Sequence, residues 1–221
     1  MTLLTHDLRG AAFIEPLKPY ECYGGLDLAA VSDLTAFVLA WDVNSIVYVY
    51  PWFFLPTDGL EERCQHDGVR YDVWARQGFL ELTPGKVTEW QYVVGRIKQL
   101  AEALRIRQIY YDAYGARDTV AALLETGIET TPHRQSYLGM SPPAKRVEEL
   151  LLSKKLVHSG HPILRWNMDC VRMKQDEWDN IKPVKPMRNQ SSKRIDGVVA
   201  MLMAVRGVME AQGNASPVEF W

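Results

Sequence analysis

Apolar residues near the start of the chain form three runs, at residues 22–29, 34–41 and 46–54. The second and third runs are rich in Val, Phe, Tyr and Trp, and they flank a short polar segment at residues 42–45. β-prone runs on either side of a polar turn are typical of a hairpin. The pattern therefore predicts three consecutive strands in an antiparallel meander.

The apolar spacing then changes to a helical one. In residues 88–104, Val93, Val94 and Ile97 begin an i, i+3, i+4 pattern, which predicts a helix. A β-prone run at 107–112 and a helical segment at 117–125 follow, and this order implies a crossover that adds a parallel strand. Further segments are expected as helices at 59–77, 141–152 and 191–211, a short strand at 79–82, and an exposed strand or loop at 182–193.

These elements predict an α/β fold with a mixed central sheet flanked by helices. We expect residues 1–19 to be an irregular lead-in and residues 20–221 to form a single domain. Hydrophobic residues make up 47% and charged residues 24% of the chain, which is ordinary for a globular protein. The sequence shows no signal peptide and no apolar run of the ~20 residues that a membrane span needs, so a soluble intracellular protein is expected.

Charge and cysteine content narrow the chemistry. The net charge of -2 excludes a uniformly basic nucleic-acid binder, but it allows an enzyme whose acidic cleft is surrounded by basic residues. The three cysteines, Cys22, Cys64 and Cys170, are far apart and form no CxxC pair. Neither a zinc knuckle nor a disulfide framework is therefore indicated.

Three acidic residues occupy unusual positions. Asp27 follows Gly24 and Gly25 inside an apolar run, although Asp is depleted in strands. Asp112 ends the β-prone run at 107–112, where open α/β sheets place their chemistry. Asp196 lies in the first turn of the last helix, and small residues follow it that would let this helix lie close to the sheet.

Three converging carboxylates would repel one another unless a cation lay between them. Hard oxygen ligands suit Mg²⁺ or Mn²⁺, and two such ions about 4 Å apart can activate a water for phosphodiester hydrolysis. Each acid also has a structural alternative: Asp112 as a turn residue, Asp196 as a favourable charge at a helix N-terminus, and Asp27 as a buried hydrogen-bonded side chain. Asp33 is a fourth candidate ligand.

At these acids the chain resembles the C-terminal nuclease domain of tailed-phage terminase large subunits, particularly those of HK97-like phages. The matching segments are residues 25–29 with 33–36, 111–112 and 193–200, with a looser match at 161–167. The resemblance implies an RNase H-like fold and a metal-dependent endonuclease that cuts double-stranded, concatemeric viral DNA during packaging. It implies that Asp27, Asp112 and Asp196 are the metal-binding catalytic acids.

The resemblance also implies partners and a location. Terminase large subunits carry an N-terminal packaging ATPase, but this sequence has no GxxxxGK[ST] phosphate loop. The chain is therefore expected to be the nuclease part alone, acting in the host cytoplasm with an ATPase domain, a terminase small subunit and a portal protein. Basic residues just before Asp196 are candidate DNA-phosphate contacts: Lys182, Lys185, Arg188, Lys193 and Arg194.

Three other functions remain open. A resolvase, transposase or ribonuclease H would share the carboxylate cluster and differ in substrate. An ATPase of the actin and sugar-kinase class also has an Asp near glycines on its first strand, but it needs a longer chain. A non-catalytic packaging or portal-binding module would tolerate loss of the acids.

Overall fold

The computed structural model describes residues 8–28, 34–113, 116–186 and 192–213. Its centre is the expected antiparallel meander of β1 (Glu21–Asp27), β2 (Thr35–Val43) and β3 (Ile46–Pro56). The β2–β3 turn is tight: Asn44 and Ser45 have positive φ angles of 54° and 65°. The Ser45 backbone N–H donates to Asp42 Oδ1 at 2.9 Å, which is the role that short polar side chains commonly have in turns.

Among the described residues, four further strands extend the meander into a mixed sheet. On one side, β5 (Arg105–Tyr111) pairs parallel with β1, and β6 (Glu129–Pro132) pairs parallel with β5. On the other side, β4 (Glu81–Thr83) and β7 (Leu156–His158) each pair parallel with β3. The sequence did not predict β6 and β7, because strands of 4 and 3 residues are too short to show a periodic pattern.

Helices cover both faces of this sheet. In chain order they are α1 (Leu8–Ile14), α2 (Leu60–Asp67), α3 (Tyr71–Arg76), α4 (Trp90–Ala101), α5 (Arg117–Leu124), α6 (Tyr137–Leu152), α7 (Pro162–Cys170) and α8 (Asp196–Ala211). A separate hairpin of β8 (Arg172–Gln175) and β9 (Ile181–Val184) lies along α6. None of the helices in these ranges combines the length and apolar character needed to cross a membrane.

The expected irregular lead-in is wrong for the part of it that the structure describes. Residues 8–14 form α1, and Glu15–Leu17 adds a turn of 3₁₀ helix. Ile14 and Leu17 are buried in the same core as α4. This short helix was missed because its stability comes from that packing, and its sequence has no strong helical period.

Strand β2 shows how the sheet separates two cores. Ala36, Val38 and Ala40 face the core that contains α8, whereas Phe37 and Trp41 face the core that contains α4. Successive side chains of a strand point to opposite faces. Small residues therefore dominate the α8 side of this strand, and large aromatic residues fill the α4 side.

Helix α8 packs against β1 almost backbone to backbone. A Cβ atom on Gly25 would lie 1.9 Å from the Ala200 carbonyl oxygen and 2.6 Å from the Ala204 backbone nitrogen. Further along α8, a Cβ on Gly207 would lie 2.6 Å from Tyr23 Cβ. Only glycine permits such an approach, so these positions set the distance between α8 and the sheet.

We predict that Gly25→Ala destabilises the protein by about 3 kcal/mol, the upper end of the usual range for overpacking, because the clashing atoms belong to a helix backbone that cannot move aside easily. Gly95→Ala is the matched control, since Gly95 lies in α4 and an added Cβ there would meet no described atom within 4 Å apart from its own helix backbone and chain neighbours. This control should be neutral or stabilise by up to about 1 kcal/mol. Equal urea midpoints for both variants would contradict the assigned packing.

Candidate functional site

Asp27 is the last residue of β1, and it pairs with Ala36 of β2. It lies two residues after Gly25, and alternate residues of a strand face the same side of the sheet. Since Gly25 faces α8, the Asp27 side chain projects toward the α8 side as well. The sequence placed Asp27 inside an apolar run, whereas the strand ends at this residue; the predicted close approach of another backbone to the preceding glycines is observed at Gly25.

Asp112 follows directly on β5, the strand parallel to β1. Its backbone N–H donates to the Leu26 carbonyl oxygen at 3.4 Å, which keeps it beside the end of β1. Tyr110, two residues earlier, belongs to the core that contains α8. The ends of β1 and β5 thus carry one carboxylate each, at the same sheet edge and on the same face.

Gln135 joins these two carboxylates. Its side-chain Nε2 donates to Asp112 Oδ2 at 2.8 Å and to Asp27 Oδ1 at 3.2 Å. One nitrogen can reach both oxygens only if they face a common point. No sequence pattern pointed to Gln135, because a lone glutamine in a loop carries no signal of a carboxylate more than a hundred residues away.

Asp196 is the first residue of α8 and is only 7% exposed. The next residue, Gly197, packs on the Phe53 ring, since a Cβ there would lie 2.6 Å from it. Phe53 pairs with Ala36, and Ala36 pairs with Asp27, so these three residues form one row across the sheet. Asp196 therefore lies at the level of Asp27 along the strands and on the same face.

A buried amide fixes the start of α8. The Gly197 backbone N–H donates to Asn167 Oδ1 at 2.8 Å, and Asn167 is fully buried in α7. Backbone N–H groups in the first turn of a helix lack partners within that helix, so this bond satisfies one of them. Asn167 ends the segment 161–167 that the sequence analysis had matched only loosely.

The three acids do not form a closed metal cage. Within the described ranges, no three His, Cys, Asp or Glu side chains are grouped closely enough to hold a metal ion. The structure brings Asp27 and Asp112 to a shared donor and places Asp196 at the same edge. Coordination by all three acids stays a prediction, and Asp33, the fourth candidate, lies outside the described residues.

The chemistry of the pair nevertheless suits a divalent cation. Two carboxylates that face one point carry two negative charges and only oxygen donors, which is the ligand type that Mg²⁺ and Mn²⁺ prefer. The amide hydrogens of Gln135 now lie between them. This geometry therefore favours a positively charged group, such as a divalent cation, between Asp27 and Asp112.

His133 is a second residue that the sequence analysis passed over. Its backbone N–H donates to the Tyr111 carbonyl oxygen at 2.7 Å, and its ring lies 6.4 Å from the Tyr110 ring. Burial lowers the pKa of His133 from 6.5 to about 4, and the nearby charge of Arg206 adds to this effect. His133 is thus neutral at pH 7, and it adds no cation beside Asp112.

We predict that His133 makes the protein less stable in mild acid. Between its ordinary pKa of 6.5 and its folded pKa of about 4, the unfolded chain binds a proton that the folded chain does not. Stability should therefore fall as the pH falls through this window, by about 3 kcal/mol between pH 7 and pH 4. His133→Gln should show a correspondingly weaker loss in urea unfolding at pH 7 and pH 4, whereas equal losses would contradict the buried neutral histidine.

The prediction that Arg194 contacts DNA needs correction. Arg194 is 6% exposed, and its Nε and a terminal nitrogen donate to the two oxygens of Asp67 at 2.9 and 3.1 Å. Tyr71 also donates its hydroxyl to Asp67, at 2.6 Å. Arg194 therefore joins the end of α2 to the segment that precedes α8, and this buried ion pair holds its guanidinium inside the protein.

Three of the other predicted DNA contacts lie within the described residues. Lys182, Lys185 and Lys193 are all partly exposed. Lys182 is on β9, with its Nζ 4.7 Å from the centre of the Tyr137 ring, a cation–π arrangement. Arg188 lies outside the described residues.

We predict that Asp67→Asn destabilises the protein by about 3–5 kcal/mol, the usual cost of leaving one charge of a buried pair without its partner. Asp72→Asn serves as the control, because Asp72 pairs with Arg70 at the surface, where ion pairs contribute little. Thermal unfolding of both variants measures the difference. If Asp67→Asn lowered the midpoint temperature of unfolding no more than Asp72→Asn does, the buried ion pair would not be needed for stability.

Known proteins with similar sequences include a phage terminase subunit. Residues 12–212 match the family described as "Terminase large subunit, endonuclease domain". The large terminase subunit of Enterobacteria phage HK97 is 32% identical over 202 residues, which cover 89% of this chain and 40% of that protein. Protein YmfN of Escherichia coli strain K12 is 25% identical over 205 residues, covering 89% and 45%. The chain thus spans less than half the length of these relatives.

Solved structures give the same result for the fold. The crystal structure of the HK97 large terminase superposes with a TM-score of 0.78 at 29% identity, over 92% of this chain and 43% of that one. The large terminase nuclease of thermophilic phage G20c superposes with a TM-score of 0.56 at 14% identity, over 85% and 82%. The expected RNase H-like fold, with its mixed sheet and flanking helices, is thereby confirmed.

Proposed function

Because the chain belongs to the terminase large-subunit endonuclease domain family, we propose that it is a metal-dependent endonuclease that cuts double-stranded viral DNA during genome packaging. The observation that carries this proposal is the convergence of Asp27 and Asp112 on the single donor Gln135 at the edge of β1 and β5. Two carboxylates gathered at an open sheet edge form a site for a cation that a phosphodiester oxygen can also reach.

The proposed ligands are Asp27, Asp112 and Asp196. Two Mg²⁺ or Mn²⁺ ions held there would supply an activated water and would stabilise the leaving oxygen of the phosphodiester. In support, structures of the G20c terminase nuclease exist with bound magnesium and with bound cobalt. The fold of this chain would hold these acids at fixed positions. The backbone hydrogen bond from Asp112 to Leu26 fixes one acid, and the packing of α8 on Gly25 fixes another.

The DNA backbone is proposed to cross this edge near β9 and the segment before α8. Lys182, Lys185 and Lys193 would neutralise phosphates there, as would Arg188, without reading sequence. Such contacts position a duplex and carry no information about the bases. Cut-site choice would then come from partners.

The proposed partners follow from the longer relatives. Since this chain covers 40% of the HK97 large subunit, we propose that it acts beside a packaging ATPase domain, with a terminase small subunit and a portal protein in the host cell cytoplasm. One structural neighbour, the large terminase of another thermophilic bacteriophage, was solved in complex with ATP-γ-S, and this chain covers 40% of it.

We predict that Asp27→Asn, Asp112→Asn and Asp196→Asn each lower Mn²⁺-dependent plasmid cleavage by at least about a hundredfold, the scale expected when one group that stabilises transition-state charge is lost. Asp42→Asn is the control, because Asp42 lies beside the β2–β3 turn, at the other end of β2 from the partner of Asp27. Circular dichroism should show that all four variants fold.

EDTA should abolish cleavage, and added Mn²⁺ or Mg²⁺ should restore it. The wild-type protein should cut linear duplex DNA in preference to four-way junctions and RNA–DNA hybrids, which are the substrates of other enzymes with this fold. Cleavage that survives all three Asp→Asn changes at the site would contradict the proposed site. A preference for a four-way junction or an RNA–DNA hybrid would be consistent with the proposed metal site but would contradict duplex DNA as the substrate.

A further inference from the structure

Gln135 places a positive dipole where two negative charges meet. Its Nε2 group has two hydrogens, and both Asp27 Oδ1 and Asp112 Oδ2 lie within hydrogen-bond distance of the nitrogen. An amide NH₂ group only donates, so one hydrogen can be directed to each carboxylate. The amide thus offsets part of the repulsion between the two acids.

The backbone on both sides of Gln135 is held in place. Before it, His133 bonds through its N–H to Tyr111. After it, Ser136 caps α6, with its hydroxyl oxygen accepting from the Gly139 N–H at 3.2 Å. The Gln135 side chain itself is exposed. A fixed backbone with an exposed side chain allows the amide to leave the carboxylates by rotation alone, without unfolding the loop.

The amide nitrogen and a cation cannot share these oxygens in the same arrangement. Nε2 has no lone pair to offer a metal, and a cation held by Asp27 and Asp112 would need the space and the oxygen lone pairs that the amide hydrogens now use. Each carboxylate also has a second oxygen, so it is a cation placed between Asp27 Oδ1 and Asp112 Oδ2, where the amide now lies, that requires the contacts of Gln135 to break.

We propose that Gln135 is a removable stand-in for the cation: it holds Asp27 and Asp112 together in the metal-free chain and withdraws when a divalent cation binds. This inference rests on the proposed function for the assignment of the cation to those two acids. Gln135 is a positioning residue here, acting through the two carboxylates.

Linkage gives the direction of its effect. A contact that exists only in the metal-free state stabilises that state and so opposes metal binding. Removing the amide should tighten metal binding and lower the stability of the metal-free protein, while the stability of the metal-saturated protein stays unchanged. A purely structural glutamine would lower both stabilities equally, and a glutamine that became a ligand through Oε1 would weaken binding when removed.

The test is a calorimetric Mn²⁺ titration of wild type, Gln135→Ala and Gln135→Met, together with thermal unfolding in EDTA and in saturating Mn²⁺. Gln135→Met keeps the side-chain length without the amide, and it serves if the alanine variant folds poorly. The Kd for Mn²⁺ should fall about three- to tenfold in both variants, which is the scale of a partly exposed hydrogen bond to a charged group. Their unfolding midpoints should fall in EDTA and match wild type in Mn²⁺.

Gln175→Ala is the matched control, because Gln175 also donates its amide to an exposed carboxylate, that of Asp179 at 2.6 Å, but does so in the β8–β9 hairpin. It should bind Mn²⁺ as wild type does. An unchanged or weaker Mn²⁺ affinity in both Gln135 variants would overturn the stand-in role alone, provided that Asp112→Asn abolishes binding. Absence of Mn²⁺ binding by the wild-type protein would overturn this inference and the proposed metal site together.

Discussion

The close packing of α8 on β1 is the constraint from which the site follows. With no side chain at Gly25, the helix backbone touches the strand backbone. The direction of α8 then brings its first turn to the sheet edge where β1 ends. Asp196 and Asp27, far apart in sequence, reach the same level of the fold because of this contact. A larger residue at Gly25 would separate helix and sheet, and with them the third acid from the other two.

The pairing of β1 with β5 adds an electrostatic constraint, because it gathers acidic side chains at one edge of the sheet. Asp27 and Asp112 lie at the ends of adjacent parallel strands, so the sheet itself brings them together, and the amide of Gln135 donates to both. The nearby histidine, His133, is kept neutral by burial and so contributes no positive charge. A divalent cation is the counter-charge that best suits such a set of oxygen donors.

Sequence patterns predicted the larger elements well. The meander, the crossover through α4 and β5, and the final helix all have apolar periods long enough to read, and the resemblance to terminase nucleases correctly indicated the family and the fold. The boundaries were less accurate: the helix expected to begin at residue 141 starts one turn earlier, at Tyr137. No local sequence pattern predicted the short strands β6 and β7 or helix α1, because these elements depend on tertiary packing.

The residues of the candidate site also differ in how far the sequence could predict them. Asp is uncommon in strands, so the sequence could point to Asp27 inside an apolar run and to Asp112 at the end of another, and the structure places these two candidates together. Gln135 could not be predicted, because its importance comes only from its hydrogen bonds to two carboxylates that the fold brings to it. Arg194 was misread for a related reason: a basic residue near an acid looks like a phosphate contact until the fold supplies Asp67 as its partner.

The most direct test of the central claim is a crystal structure of the wild-type chain with Mn²⁺, with the metal located by its anomalous scattering. We expect a manganese peak within coordination distance of both Asp27 and Asp112, with Asp196 facing the same ion or a second one and the Gln135 amide turned away. A structure at saturating Mn²⁺ in which no peak lies between those two carboxylates, and Gln135 still bridges them, would contradict it.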